Sequence, residues 1–98
     1  MGHLLAPGAL AELDDIWYYV AKESGSFDIA DRLLHSLTDR FYLLSRNPYL
    51  GRARNDLRVG LRSFPVGTYV ILYRIHQGDA IILHVLRGSR DIEALLDP

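Results

Sequence analysis

The chain has 98 residues, 49% of them hydrophobic, no cysteine and a formal net charge of −1, a composition that fits one domain spanning residues 1–98 with a modest core. Without cysteine there is neither a disulfide framework nor a thiolate zinc site, and a reducing cytoplasm is the expected compartment. No apolar run approaches the roughly 18 residues of a membrane span, and the opening MGHLLAPGALAELDD lacks the basic start and long apolar stretch of a signal peptide, so a soluble protein is expected.

In chain order, HLL (3–5) reads as a short first strand, and Pro7 suits the first turn of a helix, where its missing N–H costs little. Leu10, Leu13, Trp17 and Val20 recur at helical spacing, with Ile16 broadening the stripe. Gly25 is a helix stop, and Ser26 with Asp28 supplies the cap and first-turn acid of a second helix. Its apolar face is Ile29, Ala30, Leu33, Leu37, Phe41 and Leu44, and Asn47-Pro48 ends it because proline disfavours helix in the residue before it. The first half is therefore a helical hairpin.

After an arginine-rich stretch, YLGRARNDLRVG, that reads as a loop, the period changes. LRSF, TYVILYRI and AIILHVL are rich in β-branched and aromatic residues and are separated by Pro65-Val66-Gly67 and Gln77-Gly78-Asp79, which predicts a three-stranded antiparallel meander. Alternation sends Tyr69, Ile71, Tyr73 and Ile75 to one face, and Val70, Leu72 and Arg74 to the other. Both faces are largely apolar, so one packs on the helices and the other calls for a partner or a covering segment. DIEALL (91–96) is expected to form a short terminal helix that does part of that covering. The fold class is α+β.

Charge is unevenly spread: residues 1–50 hold four basic and seven acidic side chains, and residues 51–98 hold seven arginines against five acids. Ten of the eleven basic residues are arginine, whose planar fork suits carboxylate, phosphate or main-chain partners. This balance alone does not establish nucleic-acid binding. There is no phosphate-cradling glycine loop, the four histidines lack ligand spacing, and Ser63 does not sit in a nucleophile elbow, so no cofactor, metal or hydrolase chemistry is expected. What remains is an arginine constellation around the sheet, Arg62, Arg74, Arg87 and Arg90, poised for an anionic or peptide partner. For His84, in mid-strand, a packed or hydrogen-bonded imidazole competes with a titrating role.

ALAELDDIWYYVAKE, LLSRNPYLGR, LRVGLRSFPVGTYVILYRI and IILHVLRGSRDI, in this order, resemble the ParE toxins of bacterial type II toxin–antitoxin modules, within the ParE/RelE superfamily. Nearly the whole chain is covered. The last-strand motif is similar to RVLHGARD with His84 and Arg87 in exchanged positions. Ribosome-dependent RNA-cleaving relatives carry lysines on the first meander strand, an arginine after the central-strand tyrosine, an arginine in the final turn and a later tyrosine. Here those positions hold Leu61 and Ser63, Val70, Arg90 and Leu96. The resemblance therefore implies a non-nuclease toxin that inhibits DNA gyrase by binding and so blocks replication. A ParD-like antitoxin, folding over it, would neutralise it, and DNA would be met only through antitoxin or gyrase. Target contacts are expected at Arg62, Arg74, Arg87 and Arg90, and antitoxin contacts at Trp17, Tyr18, Arg87 and Arg90. The alternative is a RelE-like endonuclease with a site rearranged around Arg74, His84 and Arg90.

Overall fold

The computed structural model describes residues 2–88. Strand β1 (His3–Leu5) leads into helices α1 (Pro7–Ser24) and α2 (Phe27–Arg46), followed by strands β2 (Arg52–Ala53), β3 (Arg62–Val66), β4 (Tyr69–His76) and β5 (Asp79–Arg87). The five strands form one mixed sheet in the order β1-β5-β4-β3-β2, with β1 parallel to β5 and the other pairs antiparallel.

The helix limits follow from local chemistry. Pro7 opens α1, and Gly25 closes it in the left-handed region at φ 68°, donating its N–H to the Ala21 carbonyl, a conformation that side chains with a Cβ resist. One residue later the Ser26 hydroxyl accepts the Ile29 N–H at 3.2 Å and starts α2. The helical hairpin is thus as expected, but the buried stripes differ in detail. Leu10 and Ile29 are exposed, whereas Ala9 and Ala21, outside the expected stripe, are buried; Ala30 is buried as expected. Ala9 joins the main core cluster, a place that its small side chain does not announce in the sequence.

The sheet has one strand more than the expected first strand plus meander. Arg52 and Ala53, expected in a loop, pair with Ser63 and Arg62. The first meander turn is also narrower: Pro65 and Val66 belong to β3, which leaves Gly67-Thr68 between paired Val66 and Tyr69. Between β4 and β5, Leu72 pairs with His84 but Tyr73 with Ile82, so Leu83 is an extra, bulged residue. The expected terminal helix, 91–96, lies outside the described residues.

Side-chain alternation on β4 sorts the core into two layers. On the helical face Tyr69, Ile71 and Tyr73 join Leu13, Leu37, Phe41, Leu44, Ile82 and Val85 in the main cluster. On the outer face Leu61 and Leu72 are buried, with Leu57, Val70, Leu83 and Leu86 packed around them. The segment 54–61 is a covering piece for that face. It is folded on itself by Leu57 N–H to Arg54 O (3.0 Å) and Leu61 N–H to Arg58 O (3.1 Å), and its two ends are joined by Arg54 N–H to Leu61 O (2.7 Å).

Candidate interaction surfaces

The NPYLGR segment is held by a buried latch. The Tyr73 hydroxyl donates to the Pro48 carbonyl at 2.7 Å and accepts the Gly51 N–H at 2.9 Å. A Cβ on Gly51 would lie 2.7 Å from Tyr73 Cε1 and 2.9 Å from the Ser63 carbonyl oxygen, so only glycine fits. Arg62 completes the latch: its Nε and Nη2 donate to the Gly51 carbonyl, Nη2 also donates to the Tyr49 carbonyl at 3.1 Å, and the guanidinium lies over the Tyr49 ring at 5.3 Å. Arg62 is thereby engaged within the fold. Above it Tyr49, 74% exposed, and Leu50 stand out from the surface.

The four residues expected to meet an antitoxin do not form one cluster. Trp17 Nε1 donates to Asp31 Oδ1 at 2.8 Å, and its ring stacks on Phe27 at 5.5 Å, so Trp17 joins α1 to α2. Tyr18 beside it is 66% exposed. Arg87 instead reaches Tyr19, donating to its hydroxyl at 3.3 Å with the guanidinium 5.5 Å from the ring centre. Together with Asp15, Ile16 and Tyr69 they line a cleft of about 230 Å³. Residues two apart on a helix point roughly 200° away from each other, which keeps Trp17 and the Arg87 cleft on different sides of α1. Arg90 lies outside the described residues.

His84 faces α1. Its Nδ1 is 3.1 Å from each carboxylate oxygen of Glu12, and Glu12 Oε1 also accepts the Val85 N–H at 3.0 Å. Gly8 makes room for the ring, since a Cβ there would be 3.2 Å from His84 Cε1. One carboxylate thus orients the imidazole and satisfies a backbone donor of β5 beyond the reach of β1. Arg74 is elsewhere, exposed on β4 level with Ile81.

On the outer face the 54–61 segment separates two clefts. One, of about 270 Å³, has Arg58 and Arg74 at its rim over Val59, Leu61, Ile75 and Leu83. The other, of about 440 Å³, is lined by Arg52 and Arg54 with Leu50, Ser63, Phe64, Pro65 and Val70. Arg54 pairs with Asp56 at 3.2 Å. That hydrogen bond, aided by the charges of Arg54 and Arg52, holds the Asp56 carboxyl below its ordinary range. The side chains of Arg58 and Arg74 make no hydrogen bond or ion pair among the described residues. Sequence reading picked out Arg74 by alternation but passed over Arg52, Arg54 and Arg58, whose only signal was the arginine-rich loop. No group of three or more metal-ligating side chains occurs among the described residues, and no described helix is long and apolar enough to cross a membrane.

A family model described as the ParE toxin of the type II toxin-antitoxin system, parDE, matches residues 4–92. The chain belongs to the ParE toxin family. It is 38% identical over 85 residues to Toxin ParE3 of Caulobacter vibrioides, covering 87% of this chain and 84% of that relative. Toxin ParE1 of Mycobacterium tuberculosis is 30% identical over 92 residues, covering 93% of each chain. A solved structure titled "Chromosomal ParDE TA system from P. aeruginosa" superposes with a TM-score of 0.79 at 19% identity, over 91% of this chain and 97% of the other, and so shares the fold. Family membership makes the protein a toxin of the ParDE type.

Proposed function

We propose that the chain is a binding toxin that inhibits DNA gyrase, is neutralised by a ParD-like antitoxin, and makes or breaks no covalent bond itself. The observation that carries this reading is what occupies the positions where RNA-cleaving relatives are expected to hold cations. Leu61 and Ser63 are buried, and Val70 packs in the outer apolar cluster. Phosphoryl chemistry on RNA needs a base, an acid and fixed cations at one phosphate. The one imidazole considered for that work, His84, is engaged by Glu12. Aliphatic packing at these positions removes the charge-assisted contacts with which RNA-cleaving relatives are expected to fix the scissile phosphate.

The antitoxin partner is supported by the family and by the fold shared with a ParDE assembly. An exposed Tyr18 and the Tyr19–Arg87 cleft offer aromatic and guanidinium anchors of the kind that dominate interfaces. Purified toxin should inhibit supercoiling by gyrase and leave ribosome-bound message uncut, with both effects read in the same preparation. Cleavage of message with supercoiling untouched would instead establish the endonuclease built on Arg74, His84 and Arg90.

A further inference from the structure

We infer that the outer face of the sheet is a phosphate-binding surface that contacts DNA directly. The inference deepens the gyrase reading, because a toxin acting on a topoisomerase–DNA complex meets duplex as well as protein.

Among the described residues, charge is segregated across the sheet. The helical layer, residues 7–46, carries seven acids and four basic residues. On the outer face Arg52, Arg54, Arg58 and Arg74 line the two clefts. The acid paired there, Asp56, is held by Arg54. Duplex is therefore attracted to one side of the molecule and repelled from the other, which fixes the approach. All four cations are arginines, whose forked donors fit phosphate oxygens. The guanidinium groups of Arg58 and Arg74, exposed and without side-chain hydrogen bond or ion pair among the described residues, give up no polar contact there on binding.

Spacing agrees with this. Arg52 lies level with Ser63 and, through it, with Leu72, and Arg74 is two residues further along β4. With strands about 4.8 Å apart and about 3.4 Å per residue, the two Cα atoms are roughly 12 Å apart. That is close to the width of the B-DNA major groove, about 12 Å. Arginines on the two sides of the 54–61 ridge can thus reach phosphates on both walls of one groove. Val59 on the ridge, 90% exposed, adds no charge that would oppose this. An acidic amphipathic peptide is the competing occupant of the same clefts, and the test separates the two.

The experiment measures binding of a fluorescent mixed-sequence duplex to the purified chain by anisotropy, between about 50 and 200 mM salt. Three proteins are compared: the parent, Arg58→Ala/Arg74→Ala, and Arg32→Ala/Arg46→Ala, which removes the same charge from the helical layer. The parent should bind, with affinity falling steeply with salt. The outer-face variant should bind about tenfold more weakly, with a log–log salt slope shallower by roughly two, about 0.9 per lost phosphate contact. The helical-layer variant should match the parent. Absence of duplex binding at the lowest salt, equal losses in both variants, or capture of an acidic amphipathic peptide with duplex ignored would each overturn the surface. A supercoiling assay on the same proteins separates the two readings. Duplex binding without gyrase inhibition keeps the surface and removes the target. Gyrase inhibition without duplex binding does the reverse.

Discussion

The two faces of the sheet use the same residue types differently. On the helical side two helices cover the strands, the large side chains are fully buried, and Arg62 is turned to main-chain carbonyls while Arg87 reaches the Tyr19 hydroxyl of α1. On the outer side, among the described residues, one irregular segment covers part of the face, several aliphatic side chains stay half exposed, and arginines line the clefts beside it. The contrast separates two jobs for the same guanidinium, holding the fold together and meeting a partner. Counting arginines does not distinguish them, but following each to its acceptor does.

The largest effect tests the burial side of this contrast. Phe41 is fully enclosed by α1 and the sheet, whereas Leu57 lies half exposed on the outer face. Phe41→Ala should cost about 3–5 kcal/mol, because the lost transfer free energy is joined by a cavity that rigid neighbours cannot fill. Leu57→Ala should cost about 1 kcal/mol, as solvent already reaches the site. Urea unfolding midpoints compare them directly, and similar losses would mean that the outer face is as tightly built as the inner one.

A smaller effect sharpens the division between arginines. Arg62→Ala removes donors to the Gly51 and Tyr49 carbonyls and loosens the loop that Tyr73 also grips. Hydrogen bonds involving a charged group contribute about 1.5–3 kcal/mol, and a loss in that range is expected. Arg74→Ala should change stability by less than about 0.5 kcal/mol, the ordinary range for a surface substitution. Equal destabilisation by both would erase the distinction between a latch and a rim.

How much of this was legible beforehand follows from how local each cause is. Gly25, Ser26 and Asn47-Pro48 act within a few residues, and the helix limits they imply are those observed. Alternation along TYVILYRI assigned the two faces of β4 for the same reason. The missed strand β2 has a non-local cause. Two residues of no marked strand preference pair because the latch from Tyr73 and Arg62 brings Gly51 against β3. The fates of the candidate site residues are equally remote in sequence. His84 finds Glu12 72 positions away and Arg87 finds Tyr19 68 away, pairings that no periodicity announces. An arginine's acceptor is fixed by tertiary geometry, so composition could point to a constellation but not to which members were already engaged.

The smallest effect concerns the hairpin that joins the two long strands common to both faces. His76 and Asp79 are paired, leaving a two-residue loop in which Gln77 and Gly78 both have positive φ, 52° and 83°. That is the signature of a type I′ turn, whose twist matches the strands it joins. Gly78 adopts it without strain, but Gln77 brings its Cβ close to a carbonyl oxygen in the left-handed region. Asparagine tolerates this conformation better because its short amide can hydrogen-bond locally. Gln77→Asn should therefore stabilise the protein by about 0.5 kcal/mol, a rise in melting temperature of roughly 2–4 °C for a domain of this size. Neither outer-face cleft includes Gln77, so duplex binding should not change. An unchanged or lower melting temperature would show that the glutamine already relieves its strain, and the turn would then contribute nothing to the difference between the two faces.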